Sequence, residues 1–530
     1  MHWFYIILTI IAILLVLLVF YDLTQKRHAI LRNFPIIGHL RYLFETIGPE
    51  LRQYIVTNND EERPFSRDQR RWVYASSKKE NNYFGFGTDN DVELSPNYLI
   101  LKQTTFPYLE TPKTDPEFDP LFPIPCAKVM GAARGRAKAY RPQSIVNVSA
   151  MSFGSLGSAA VEALNKGCKL AKCTHNTGEG GISIHHQHGA EIILQIGTGY
   201  FGCRDENGKF CMQTLIQTVE ANPHIKAIEI KLSQGAKPGL GGLLPKEKIT
   251  AEIAAARGIP TDRDCASPAV HSAFHDADSM LNFIEDIATQ TGLPVGIKSA
   301  VGQLAFWHDL ADLMKDGQRG VDFIVIDGGE GGTGAAPLVF ADHVALPFKI
   351  AFARVFSIFH HAKLTDKVVF VGSAKLGFPM DALFAFGLGC DMISVAREAM
   401  LAIGCIQAQR CHTGHCPAGV ATHNKWLMRG LDPTLKAARL ANYIVNLRHE
   451  VLKLCHAAGF CHPAFVTTDH FEILDGQLGS TTFKQTFGYE LVRQSPADHD
   501  CEKIADIMSH QEAPATSPSE TSASLSGTVM

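Results

Sequence analysis

From about residue 144 onward, short β-branched runs alternate with helical stretches, and this alternation limits the possible folds more than any other feature of the chain. The runs are Ile145–Val148, Glu191–Ile196, Ala227–Ile230, Val295–Lys298, Phe323–Ile326, Val368–Val371 and Met392–Val395. Several end in Gly, Ser or Lys. Helical patterns such as Ala159–Leu170 and Ala277–Thr289 lie between them. Strands alternating with helices build parallel βαβ units. Repeated with polar or glycine-rich strand ends, they predict an α/β fold, a (β/α)8 TIM barrel with its chemistry at the C-terminal ends of the strands. A doubly wound open sheet is the alternative. The 530 residues hold one such barrel with flanking segments.

The second constraint is the N-terminus. Trp3 to Phe20 is apolar except for Thr9, and aromatic residues sit at both ends. At about 1.5 Å per residue, a helix of this length nearly spans a hydrocarbon core of roughly 30 Å. Lys26, Arg27 and Arg32 follow, and no Lys or Arg precedes, so the positive-inside bias predicts a single-pass membrane protein with its catalytic domain in the cytoplasm. A cleaved signal peptide would want a basic leader and a small-residue cleavage site, and a buried core helix is rarely apolar all round.

Between these features, residues 25–130 are expected to form a linker and lead-in packed on the barrel, with an amphipathic piece around Gly38–Leu51. The barrel is expected over 131–440, a helical extension over 441–510 and a disordered tail over 511–530, which is rich in Ser, Thr, Pro and Ala. A net charge of −4 gives no reason to expect a nucleic-acid partner. The 13 cysteines are odd in number and dispersed, which fits a reducing compartment, where clustered cysteines more often bind metal.

Cys405, Cys411 and Cys416 fall within twelve residues and end in Cys-Pro. Three thiolates on a turning loop suit iron–sulfur ligation, with three irons favoured because no fourth ligand is evident. A zinc site using His412 or His415, or ordinary buried cysteines, remain open on spacing alone. Gly372, Ser373 and Lys375 follow the Val368–Val371 run, and Ala396 and Arg397 follow Met392–Val395. In a barrel these are the seventh and eighth strand ends, a common phosphate corner, although both cations could equally be surface residues. Asp327–Gly334 spells G-x-G-x-x-G, but no acidic residue lies about 20 positions on and Pro337 interrupts the helix a dinucleotide site requires. Lys231 and Lys298 each end an apolar strand. A lysine in a barrel mouth calls for an anionic partner, either a reduced flavin or an unrecognised carboxylate. Asn176–Gly181 carries Glu179 and Ala236–Gly242 carries Lys237. Both stretches read either as ligand loops or as solvated turns.

Taken in order, SAMSFGS (Ser149–Ser155), NTGEGG, QGAKPG (Gln234–Gly239), GGTGAAP (Gly331–Pro337) and the cysteine run ending CPAGVATH (Cys416–His423) resemble the FMN-binding synthase domain of glutamate synthase. The flanks resemble those of stand-alone, membrane-anchored relatives. The resemblance implies FMN and a [3Fe–4S] cluster held by Cys405, Cys411 and Cys416. It places Ala150, Met151 and Ser152 against the flavin ring and Gln195 at its pyrimidine edge. Lys298 would lie near N1 and O2, with Lys231 as a second candidate, and Gly372, Ser373, Lys375, Ala396 and Arg397 would surround the phosphate. Lys237 would hold substrate carboxylates, and Lys298 and Glu179 are the candidate catalytic residues. The implied reaction reduces 2-iminoglutarate, formed from 2-oxoglutarate and ammonia, to L-glutamate, with electrons from a donor protein or reductase subunit.

The chain departs from the family pattern in three places. Leu243 replaces a usual Gln. The phosphate loop reads Val371-Gly372-Ser373-Ala374-Lys375. The glutaminase domain that the family pattern leads one to expect is not read in this sequence, so free ammonium, a partner subunit or a different substrate is expected. The alternatives are a flavin-bearing subunit of an N-methylglutamate synthase-type complex, a 2-hydroxyacid oxidase, for which the expected histidine is missing at Ile326-Asp327-Gly328, and a degenerate membrane scaffold.

Overall fold

The computed structural model describes residues 2–25, 28–58, 60–83, 85–110, 113–115, 118–488 and 496–509. Lys26 and Arg27, used in the orientation argument, and the expected disordered tail over 511–530 lie outside the described residues. The chain divides into two compact units, residues 1–71 and 72–530.

In the first unit, His2–Thr24 is one helix of 23 residues, long and apolar enough to cross a membrane, a test that a signal sequence also passes. Gly38–Leu51 is a helix with the same limits as the amphipathic piece read from sequence. Asp22 joins the two. It is buried, and its carboxylate accepts from the Ile36 N–H at 3.0 Å and lies 3.0 Å from His39 Nε2.

The second unit holds a closed barrel of eight parallel strands. These are β1 (Val146–Val148), β2 (His175–Asn176), β3 (Ile192–Ile196), β4 (Ile225–Lys231), β5 (Val295–Ser299), β6 (Phe323–Asp327), β7 (Val369–Ser373) and β8 (Met392–Val395). They pair in chain order, and β8 closes on β1 with Val395 opposite Val148. Closure removes the open-sheet alternative. Seven of these strands coincide with the apolar runs. The exception is β2, two residues of polar sequence, which is a strand only because Val148 and Ile192 flank His175 on either side. A second difference is that β7 runs through Gly372 and Ser373, which are therefore strand residues. A Cβ at Gly372 would meet Leu376 and Phe348 at 2.8 Å, so strand and helix approach too closely there for a side chain.

Side chains alternate along each strand, which puts Ala227, Phe323, Val325, Val369, Val371 and Met392 in the barrel interior. Cys126 and Met130, from the end of the lead-in, close the floor. Residues 98–101 are not irregular lead-in. Tyr98–Leu101 pairs antiparallel with Phe471–Leu474, which pairs with Ser480–Thr482. The segment after 440 is thus not purely helical. Its main helix, Pro433–Ala457, begins before that boundary and packs on Ser158–Ala171, where a Cβ at Gly167 would meet Leu440 at 2.8 Å.

Candidate active site

Period-two alternation carries the inward register from apolar to polar toward the barrel mouth: Ala227, Glu229, Lys231 on β4, and Phe323, Val325, Asp327 on β6. Lys231 and Lys298 are register partners on neighbouring strands. Each meets a carboxylate. Lys231 Nζ lies 2.9 Å from Glu179 Oε1, and Lys298 Nζ lies 3.7 Å from Asp327 Oδ1. The unrecognised carboxylates considered for these lysines are therefore Glu179 and Asp327.

Lys237 is buried in the same mouth and donates to the Gly241 carbonyl at 3.1 Å. Burial lowers its pKa, Glu179 works to raise it, and Lys231 lowers it further. Burial alone would raise Glu179, but Lys231, Lys237 and Arg257 outweigh it and hold the carboxyl at about 2. Three cations around one ionised carboxylate leave an excess of positive charge, suited to an anionic ligand.

Gln195 and Glu229 face each other in register. Gln195 Nε2 donates to Glu229 Oε1 at 2.6 Å, and Asn176 Nδ2 donates to the same oxygen at 3.0 Å. Burial raises the Glu229 pKa, with Lys298 opposing. With its amide N–H engaged, Gln195 has its carbonyl oxygen to offer a ligand. Ala150, Met151 and Ser152 follow β1. The Met151 N–H donates to Asn176 O at 3.1 Å, and His186 Nε2 lies 3.0 Å from Met151 O. Gly178 has φ +68°, and a Cβ there would lie 2.7 Å from Ser152 N, so only glycine lets these two loops meet.

The β7–β8 corner brings Ser373 beside Asp327 and Ser394, with Lys375 in the following turn. Ala396 precedes the short helix Arg397–Ala402. Arg397 donates to Glu330 O, and a Cβ on Gly332 would lie 2.8 Å from its side chain, so Arg397 anchors the DGGEGGTG loop. That loop touches the QGAKPG loop backbone to backbone, since a Cβ on Gly235 would lie 1.9 Å from Gly328 O.

The cysteine run abuts the far end of the same loop. A Cβ on Gly334 would lie 3.0 Å from Cys411 Cβ. Burial pushes the Cys405 thiol up to about 11, with the charges of Cys411 and Cys416 adding to the rise. Cys411 is raised by burial and by Cys416, while Lys248, which donates to Cys411 O at 2.7 Å, opposes. The three thiols thus lie close enough to influence one another.

Four residues of the mouth escaped assignment from sequence: Glu229, Arg257, His271 and Asp327. A charged residue at Glu229, two before Lys231 in an otherwise apolar run, was a usable signal. Asp327, which opens a glycine loop, was another. Arg257, donating to Phe153 O at 3.2 Å, and His271, 2.9 Å from Lys231 O, carry none.

Comparison with known proteins gives one family. The model described as a conserved region in glutamate synthase matches residues 128–461. The glutamate synthase large subunit-like protein YerD of Bacillus subtilis is 38% identical over 478 residues, covering 85% of this chain and 90% of that protein. The archaeal glutamate synthase [NADPH] of Methanocaldococcus jannaschii is 36% identical over 317 residues, and the match covers 59% of each chain. Among solved structures, a mutant flavocytochrome b2 with pyruvate bound aligns over 91% of this chain and 93% of its own at a TM-score of 0.41 and 14% identity, too distant to bear on the site.

Proposed function

The chain belongs to the glutamate synthase family and is a glutamate synthase-like oxidoreductase, and from this premise we propose that its barrel mouth holds FMN and reduces a 2-imino acid, formed from 2-oxoglutarate and ammonia, to L-glutamate or a related amino acid. The observation that carries the reading is the mouth itself, where Lys231, Lys237 and Arg257 outweigh Glu179 next to Lys298 and Gln195. A dicarboxylate substrate needs such a cation excess.

The donor set fits FMN. Lys298 supplies the cation that an anionic flavin edge requires, and Gln195 offers a carbonyl to a ring N–H. Lys375, Ser373 and Gly372 stand with Arg397 at a phosphate corner. When bound, the flavin supplies hydride transfer to the carbon of a C=N bond. The chain's own residues do the rest. Lys237 and Lys231 bind carboxylate. Glu179, ionised, keeps both lysines oriented. The packed loops exclude water.

Cys405, Cys411 and Cys416 fit a [3Fe–4S] cluster by donor type and by their grouping within twelve residues of one loop. Electrons would arrive there from a separate donor protein or reductase subunit. The His2–Thr24 helix would anchor the chain in a membrane, with the barrel in the cytoplasm, and deleting residues 1–24 should release soluble protein.

The test is a visible spectrum with flavin and iron quantification on the detergent-purified full chain, followed by turnover with ammonium and 2-oxoglutarate. About three irons and one flavin per chain support the cofactor set. Iron unchanged in Cys411→Ser would refute the ligand assignment. A loaded protein that makes no amino acid would refute the substrate.

A further inference from the structure

A second cluster of metal-type donors lies outside the mouth. Glu162 projects from the helix Ser158–Ala171, His185 lies within the short turn Ile184–His186, and His188 follows that turn by two residues. One ligand atom from each of the three lies within 4.8 Å of the others, and all three residues are half-buried. Glu252 adds a fourth group, its Oε1 2.6 Å from His185 Nε2. A carboxylate in that position either orients a ligating ring or ligates itself.

We propose that Glu162, His185 and His188 form a site for one divalent transition-metal ion of the zinc class. Two imidazoles and a carboxylate are the donor set of three-ligand zinc centres, which leave a further position for water or another ligand. Hard cations such as Ca²⁺ and Mg²⁺ prefer all-oxygen sites, so they are poor candidates. Lys166 is the resident competitor, its Nζ 2.5 Å from Glu162 Oε1, and a bound dication displaces that ammonium. The site adjoins the mouth: the His185 ring lies 4.8 Å from that of Phe153, and the neighbouring His186 Nε2 lies 3.0 Å from Met151 O, both in the Ser149–Ser155 loop. The site is independent of the flavin reading and survives its failure.

The experiment equilibrates the purified full chain with zinc chloride, desalts it and counts zinc, alongside His185→Ala/His188→Ala. The double variant retains every cysteine, so zinc on Cys405, Cys411 and Cys416 cancels in the difference. The wild type should retain one zinc per chain more than the variant. Zinc X-ray absorption should show nitrogen and oxygen neighbours for that ion, and Lys166→Met should bind it more tightly. A zinc-dependent rise in melting temperature, reversed by EDTA, should occur in the wild type and vanish in the double variant. Equal zinc in both proteins, or a sulfur-only environment for all bound zinc, overturns the site. If the double variant is poorly folded without metal, Glu162→Gln replaces it, and undiminished affinity there overturns the site equally.

Discussion

At the floor of the barrel, Lys128 Nζ lies 2.9 Å from Asp391 Oδ2 and also donates to Thr365 O at 2.6 Å and Val368 O at 3.1 Å; at the mouth, Lys298 Nζ lies 3.7 Å from Asp327 Oδ1. Floor carboxylates are closed off by backbone as well. Asp391 accepts from the Phe370 N–H at 2.8 Å, and Asp322 accepts from Val295 N–H at 2.8 Å and Arg136 Nε at 3.0 Å. Burial raises both floor carboxyls despite their cations, whereas at the mouth the cations win and Glu179 sits at about 2. Identical residue types thus do different jobs. On the floor, charge is neutralised locally and holds strands together. At the mouth it is left in excess, which costs stability but prepares a surface for an anion.

The largest effect should come from Asp391→Ala, which strands a buried Lys128. We expect a loss of about 3–5 kcal/mol in denaturant unfolding, with turnover per folded molecule unchanged. A loss of turnover in the folded fraction would break the contrast. Lys237→Met should do the reverse. Stability should stay within about 1 kcal/mol, because no carboxylate is stranded, while kcat/KM falls at least about 100-fold. An equal stability loss at both ends would mean that the mouth is structural too.

The pH dependence sharpens the same comparison. Glu179 has a folded pKa near 2 against an ordinary 4.5, so its stabilisation is complete above about pH 4.5 and is lost as pH falls toward 2. Unfolding midpoints across that window should be flatter for Glu179→Gln than for wild type, and parallel curves would contradict the pairing. Asp391, raised in the fold, contributes with the opposite sign, its stabilisation falling as pH rises through its folded pKa. The smallest effect is expected from Lys375→Ala, which should weaken flavin retention about tenfold, the worth of one charged contact, and leave melting unchanged. Equal flavin occupancy would place the phosphate elsewhere.

Seven barrel strands were legible because each is an apolar run of strand length between helical patterns. His175–Asn176 was not, because nothing local makes two polar residues extend. Neighbouring strands supply both rows of hydrogen bonds. The sheet between Tyr98–Leu101 and Phe471–Leu474 escaped for the same reason, its halves lying far apart in the chain. In the candidate site, Lys231, Lys237 and Lys298 stood out by type and position, and the cysteine run by spacing. The pairings did not, since Glu179 and Asp327 meet lysines from other strands.

What the sequence alone determined is therefore periodic or local: the parallel strand–helix order, the glycine loops at strand ends, the thiolate run and the apolar N-terminal helix. The tertiary structure alone decided which charges meet. It set Lys231 beside Lys298, surrounded Glu179 with three cations and brought Glu162 to His185 and His188. Such encounters depend on barrel closure and strand register, which bring together residues distant in the chain, and a Coulombic balance exists only once those distances and that burial are set.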